Sequence, residues 1–149
     1  MKYLPILLMT IFSHQVFSQK SITTFEDLAK NKNISIESLN RLYKSMDNID
    51  SLTSVFKGQE NEFLNGSMSL IQELGDHLKK NNFKLFKPFE SHIKFCINKN
   101  GKIDYFLYDF KENKISSNTE NEFKRLIELF IKEYTFPLKP NSNFSIDFL

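Results

Sequence analysis

The chain has 149 residues, of which 40% are hydrophobic and 16 are phenylalanine, so its length and composition predict a single domain with a sizeable core. Its 20 basic and 18 acidic residues are mixed along the chain and leave a formal charge of +2, which excludes the polybasic blocks typical of nucleic-acid binding. Cys96 is the only cysteine, so an internal disulfide is excluded as well.

The first 18 residues have the pattern of a secretory signal peptide. Lys2 precedes an apolar run from Leu4 to Phe12, and Ser18 is a small residue at a cleavage point before Gln19. A membrane helix needs about 20 apolar residues, and this run is roughly half as long, so a retained anchor is the second interpretation. The residue directly after the cleavage point is Gln19 and not a cysteine, which argues against a lipoprotein. We therefore expect a periplasmic or secreted protein with no membrane span after signal cleavage.

Residues 19–56 predict an N-terminal helical arm. A short helix is indicated by three apolar residues at a spacing of three: Ile22, Phe25 and Leu28. Ser35 is placed to cap a second helix. The apolar stripe of that helix consists of Ile36, Leu39, Tyr43 and Met46. The arm ends at the polar, glycine-containing stretch 57–59, where the main domain, residues 57–149, begins.

The main domain predicts two long helices and three strands. The first helix covers about residues 67–80 and is capped by Ser67 or Ser69. The second covers about residues 119–134, with Thr119 and Glu122 as a capping box. Alternating apolar residues predict strands at 93–97, 103–108 and 144–148. The expected fold class is α+β, with a small antiparallel sheet of a hairpin plus the C-terminal strand packed against two helices.

The stretch INKNGKI, residues 97–103, connects the first two strands and raises the question of a calcium loop. Such a loop needs oxygen ligands at positions 1, 3 and 5 and glycine at position 6. Counted from Asn98, glycine falls at position 4 and Lys102 at position 5, so the stretch fails as a calcium site. It fits a three-residue hairpin loop with Gly101 in the left-handed conformation.

This loop predicts a register in which Ile97 faces Ile103 and the inner faces of both strands are apolar. In that register Phe95 faces Tyr105 and Ile93 faces Leu107. The opposite face then carries Lys94, Cys96, Asp104, Phe106 and Tyr108. Because that face is half aromatic, we expect the N-terminal helices to cover part of it.

Catalytic patterns are weak throughout the chain. His92 and Cys96 are four apart on a strand and therefore roughly 13 Å apart at about 3.3 Å per residue, which is too far to share a metal ion or a proton. His77 has no nucleophile motif near it, and the acidic residues form no evident pair. With four glycines in the chain, a phosphate-binding loop is not expected either. We predict no enzyme, no metal and no cofactor.

Three stretches in the main domain resemble the TonB C-terminal domain family in their order and spacing. They are VFKGQENEFLNGSMSLIQELGDHLKKN, IKFCINKNGKIDYFLY and TENEFKRLIELFIKEYTFPLKPNSNFSIDFL, which match the family's opening and first helix, its hairpin, and its second helix with the closing strand. The resemblance covers about residues 55–149. The chain reads Asn82-Phe83-Lys84-Leu85 where the family has a Tyr-Pro pair, and it lacks the inner-membrane helix and proline-rich spacer, so energy transduction is not expected.

The resemblance implies a protein-interaction module whose last strand binds a partner, such as an outer-membrane transporter peptide or a second copy of the chain. An edge strand has unpaired N–H and C=O groups that accept an extended peptide. The candidate partner-binding residues are Phe144, Ser145, Ile146, Asp147 and Phe148. Two alternatives stay open. One is a small exported binder of a hydrophobic or peptide ligand that uses Cys96, Phe106 and Tyr108, and the other is a hydrolase that uses His77.

Overall fold

A computed structural model describes residues 21–30, 34–84, 91–110 and 115–149 of the chain. The α+β class is confirmed, because helices pack on both sides of a five-stranded sheet. In chain order the elements are β1 (Ser21–Thr24), α1 (Phe25–Lys30), α2 (Ile36–Leu42), β2 (Lys44–Ser45), α3 (Ile49–Val55), α4 (Glu60–Lys80), β3 (His92–Ile97), β4 (Ile103–Asp109), α5 (Ser117–Glu133) and β5 (Phe144–Phe148). The predicted signal segment, residues 1–18, lies outside the described residues.

The sheet has the strand order β1-β4-β3-β5-β2 and is mixed. Its centre is the predicted antiparallel part, in which β3 pairs with both β4 and β5. The prediction of only three strands is wrong, because the N-terminal segment adds a strand at each border. Strand β1 pairs in parallel with β4, and the two-residue β2 pairs in parallel with β5.

Helix boundaries depart from the predicted ones where the chain joins the sheet. The helix predicted from Ile22 begins only at Phe25, because the preceding residues extend along β4. Helix α2 has the predicted cap, with Ser35 accepting the Ser38 N–H in a capping box, but it ends at Leu42 and does not reach Met46. Met46 instead follows β2, where its N–H is bonded to β5.

The two long helices also begin earlier than predicted. Helix α4 starts at Glu60 and continues through Gly66, so the predicted start near residue 67 lies inside it. Helix α5 starts at Ser117, and its N-cap is Ser116, whose hydroxyl accepts the Thr119 N–H. Thr119 is therefore a residue of the first turn and not the cap.

The larger core lies between one face of the sheet and the helices α3, α4 and α5. Helix α4 contributes Leu70 and Leu74, and α5 contributes Phe123 and Ile127, all nearly inaccessible to solvent. The sheet contributes a row of fully buried residues: Phe95, Ile97, Ile103, Phe106, Tyr108 and Phe144. Burial of these large apolar side chains is the main stabilising contribution to the fold.

A second, smaller core covers the other face of the sheet. Leu28 of α1 and Leu39 of α2 pack with Tyr43 against Cys96 and Leu107. All five are at most 5% exposed. The expectation that the N-terminal helices cover part of the predicted face is confirmed for Cys96, whereas Phe106 and Tyr108 lie in the larger core. The sheet is therefore buried between two helical layers.

The hairpin turn has the predicted form, but the register beyond it does not. Gly101 has a φ of +76°, its N–H donates to the Asn98 carbonyl, and Ile97 faces Ile103. Asp104 is then an extra residue in β4, so Cys96 faces Tyr105 and Phe95 faces Phe106. The predicted Phe95–Tyr105 and Ile93–Leu107 pairs are therefore wrong.

The bulge at Asp104 exchanges the faces of the rest of β4. Phe106 and Tyr108 belong to the larger core, whereas Tyr105 and Leu107 lie on the side of the N-terminal helices. The carboxylate of Asp104 is only 7% exposed and accepts a hydrogen bond from Tyr43 Oη at 2.8 Å and one from Asn98 Nδ2 at 2.8 Å. These two bonds give both carboxylate oxygens of the bulged residue a hydrogen-bond donor. Within the described residues, no helix combines the length and the apolar content of a membrane span.

Candidate functional site

The five predicted partner-binding residues, Phe144–Phe148, form strand β5 as expected, but β5 is not the border strand of the sheet. Its outer side is covered over the first half by β2, through hydrogen bonds from Lys44 N to Asn143 O at 3.1 Å and from Met46 N to Ser145 O at 3.0 Å. The prediction of an open edge is therefore wrong for Phe144 and Ser145. The sequence predicts helix as far as Met46, but α2 ends at Leu42 and the extended residues Lys44–Ser45 occupy the edge position instead.

The outer side of the second half of β5 is not covered by β2, because β2 pairs with β5 only at Phe144 and Ser145. After Met46 the chain turns into α3, whose N-cap is Asn48. In a strand the backbone groups of successive residues point to opposite neighbouring strands. The Ser145 carbonyl faces outward to Met46, so the backbone groups of Ile146 face β3 and those of Asp147 face outward again. Among the described residues, no further strand pairs with this outer side.

A groove lies beside this outer side, between β5 and helix α4. We call it the β5 groove and define it by Met46, Phe63, Leu64, Met68, Ile146 and Phe148, which line a volume of about 270 Å³. Leu64 and Met68 are 54% and 66% exposed, although both are apolar. They are four residues apart and therefore lie on one face of α4. An exposed apolar surface next to unpaired backbone groups suits an extended segment with apolar side chains.

The other side of β5 is held by an ion-pair cluster at Asp147. Its carboxylate oxygens lie 2.8 Å from Lys94 Nζ and 2.8 Å from His92 Nε2. Lys94 is only 5% exposed, and a buried ammonium without a counter-charge is costly. The ring of Phe25 stacks on His92 with 4.4 Å between the ring centroids. These contacts join the end of β5 to β3 and α1.

The residues of the alternative binding face do not form a surface. Cys96 lies in the smaller core and Phe106 and Tyr108 lie in the larger one, so the bulge at Asp104 has separated them onto opposite faces. All three are completely buried. Burial raises the pKa of Cys96 to about 12, so its thiol stays protonated at neutral pH. The predicted ligand-binding face of Cys96, Phe106 and Tyr108 is therefore wrong.

The remaining candidate residues are placed as follows. His77 Nε2 lies 2.9 Å from the carbonyl oxygen of Leu126, and since a carbonyl only accepts, this nitrogen donates. In the turn, Asn98 Oδ1 accepts the N–H groups of Asn100 and Lys102, so its oxygen is used by the backbone. Over the described ranges, no group of three His, Cys, Asp or Glu side chains is arranged to hold a metal ion.

The β5 groove itself was not predicted from the sequence. The sequence feature that indicates it is the pair of apolar residues Leu64 and Met68 on α4. They lie next to the buried apolar stripe that contains Phe63 and Leu70, so the apolar face of this helix is wider than its buried part. Because the helix was expected to begin near residue 67, Leu64 fell outside it. Comparison of the chain with protein-family models, with curated proteins and with solved structures gave no match.

Proposed function

We propose that this protein is a non-catalytic interaction module that binds an extended segment of a partner protein at the outer side of β5. The observation that carries the proposal is the half-covered strand: β2 ends at Ser45, and the outward backbone of Asp147 follows beside the apolar β5 groove. A bound segment would continue the position of β2 along β5. Main-chain hydrogen bonds to Asp147 would supply affinity, and an apolar side chain between Leu64 and Met68 would supply selectivity.

The resemblance of residues 55–149 to the TonB C-terminal domain suggests the class of partner. In that family an equivalent last strand contacts a peptide of an outer-membrane transporter, so a transporter segment is the partner that we favour. The signal-like residues 1–18 support an encounter in the periplasm. Pairing of two β5 strands in a homodimer is the competing outcome, and it uses the same backbone groups.

Site-specific photocrosslinking tests the location of binding. A benzophenone amino acid is placed at Leu64 or Met68, which are exposed enough to accept it, and the crosslinked peptides are identified from the native host cells. The matched control carries the same group at Leu129, a 39% exposed leucine on α5. We expect a partner segment to be captured at Leu64 and Met68 and not at Leu129. Capture only of a second copy of this chain, or equal capture at Leu129, would contradict the proposal.

Backbone removal tests strand addition itself. Asp147→Pro deletes the outward N–H, and Asp147→Ala is its control because both lose the carboxylate. Both are made in a Lys94→Met background, so that no buried ammonium is left without its partner. We expect the proline variant to bind the captured segment about tenfold more weakly than the alanine variant, since one hydrogen bond and close strand approach are lost. Equal affinities would refute strand addition. Ile146→Pro is unsuitable, because the Ile146 backbone faces β3.

A further inference from the structure

A second groove lies on the opposite end of α4, where this helix crosses α5. It is lined by one face of each helix, with residues spaced three or four apart. From α4 these are Glu73, Asp76, His77 and Lys80, and from α5 and its C-cap they are Phe130, Glu133 and Tyr134. His77 joins the two helices through its bond to the Leu126 carbonyl and its contact with the Phe130 ring, whose centroid is 5.6 Å away. The volume between the two faces is about 350 Å³. We call it the α4–α5 groove.

The charge of the α4–α5 groove is negative. Three carboxylates, those of Glu73, Asp76 and Glu133, line it together with a single ammonium, that of Lys80. Lys80 is in the last turn of α4, where its charge also interacts favourably with the helix C-terminus. All four charged side chains are exposed, and the Glu73 carboxylate also accepts a hydrogen bond from Ser69 Oγ at 2.9 Å. The excess of carboxylates favours a cationic ligand and disfavours an anionic one.

The aromatic wall of the α4–α5 groove contains an unsatisfied polar atom. Tyr134 stacks on Phe130 with 5.1 Å between ring centroids and is only 7% exposed. Its hydroxyl is buried and has no hydrogen-bond partner among the described residues. Burial of such a group without a partner costs about 1–3 kcal/mol. Burial, and then the nearby Glu73 carboxylate, raise the pKa of Tyr134, so the hydroxyl stays neutral and has a lone pair that can accept an N–H.

We propose that the α4–α5 groove binds an organic cation, an ammonium or guanidinium group, between the Glu73 and Glu133 carboxylates with Tyr134 Oη as an additional acceptor. Such a group combines positive charge with several N–H donors, and its alkyl part can lie against the Phe130 and Tyr134 rings. The same group is presented by a free amine and by a Lys or Arg side chain of a protein. The groove is formed by other residues than the β5 groove, so this inference does not depend on the proposed function.

Calorimetric titration of the full chain tests the proposal with defined probes. N-acetyl-arginine amide and spermidine represent free cations, and N-acetyl-citrulline amide is the neutral analogue of the first. We expect both cations to bind at low salt and the citrulline derivative not to bind. Glu73→Gln and Glu133→Gln should each weaken binding about tenfold, whereas Glu62→Gln, a glutamate of α4 outside the groove, should have no effect. Failure of both cations to bind, or equal binding by all three glutamine variants, would overturn the proposal.

Tyr134→Phe tests the hydroxyl separately from the acidic residues, because it should change stability and cation affinity in opposite directions. It deletes the unpaired hydroxyl, so the free protein should become more stable to urea while cation binding becomes weaker. A variant that loses stability and keeps wild-type binding would contradict the assignment of the hydroxyl. An arginine-containing hexapeptide in the same titration distinguishes the source of the cation. Tighter binding of the peptide than of N-acetyl-arginine amide assigns the site to a protein side chain, and equal binding assigns it to a free amine.

Discussion

Replacement of Gly101 by alanine tests how the hairpin turn is joined to the rest of the fold. Gly101 has a φ of +76°, and its carbonyl accepts the Phe136 N–H at 2.8 Å. A Cβ atom at this position would lie 3.0 Å from the Phe136 carbonyl oxygen and 3.3 Å from Thr135 Cγ2. Two energetic penalties therefore combine, one from the left-handed backbone of residue 101 and one from the displacement of Thr135 and Phe136 by the added Cβ.

Gly58 separates the two penalties, because it has the same φ of +76° and no atom within 4 Å of an added Cβ. Alanine in the left-handed region destabilises the folded state by about 1–2 kcal/mol. It also lowers the conformational entropy of the unfolded chain, which stabilises the protein by about 0.4–1 kcal/mol. We expect Gly58→Ala to cost about 1 kcal/mol. Gly101→Ala adds the close contact and a weakened hydrogen bond, so we expect a total cost of about 2–4 kcal/mol.

Equilibrium urea unfolding followed by circular dichroism measures both variants. The slope of the free energy against urea should be the same as for the wild type, so the difference should appear in the midpoints. The midpoint of Gly101→Ala should be clearly below that of Gly58→Ala. Equal losses in the two variants would refute the argument, since they would mean that the approach of Phe136 to the turn carries no energetic weight.

Three further predictions follow from buried polar groups. Tyr43→Phe removes the donor to the nearly buried Asp104 carboxylate and should lower the free energy of unfolding by about 1–3 kcal/mol in urea titrations. The hydrogen bond from the Tyr108 hydroxyl, and after it Lys124, lowers the pKa of Glu120. The free energy of unfolding lost in Tyr108→Phe should therefore be constant near neutral pH and should shrink as the pH falls below 4.5, the ordinary pKa of this carboxylate, because acid protonates it. Unfolding curves at a series of pH values measure this loss. Cys96 is fully buried, so a thiol reagent at pH 8 should modify the native protein only at the rate of unfolding, and rapid modification would contradict the packing of the smaller core.

The parts of the fold that local chemistry specifies could be predicted from the sequence. Asn98 to Gly101 form the predicted turn because one left-handed glycine and one asparagine side chain specify its shape locally, although Asn143 and Phe136 also bond to the turn. Ser35 caps α2 for the same reason, with its partner Ser38 three residues away. The apolar stripe of α5 was equally local, and only its first turn was misplaced.

The parts that depend on distant contacts could not be predicted. The carboxylate of the bulged Asp104 accepts a hydrogen bond from Tyr43, 61 residues away in the chain, and no pattern within β4 indicates that contact. Likewise Lys44 and Ser45 have a strand conformation only because β5 is beside them. Strand β5 was predicted from its alternating residues, but the cover over Phe144 and Ser145 and the neighbouring face of α4 were not, since both are tertiary features.

The parallel pairings at the two borders of the sheet have a consequence for folding kinetics. Ser21 meets Tyr105 and Lys44 meets Phe144, so the paired residues differ in number by 84 and by 100. Closing such long loops costs entropy before any contact repays it, and proteins rich in distant pairings fold slowly. A chain emerging from a ribosome or a translocon would therefore keep its amino-terminal strands unpaired until nearly the whole polypeptide had been released.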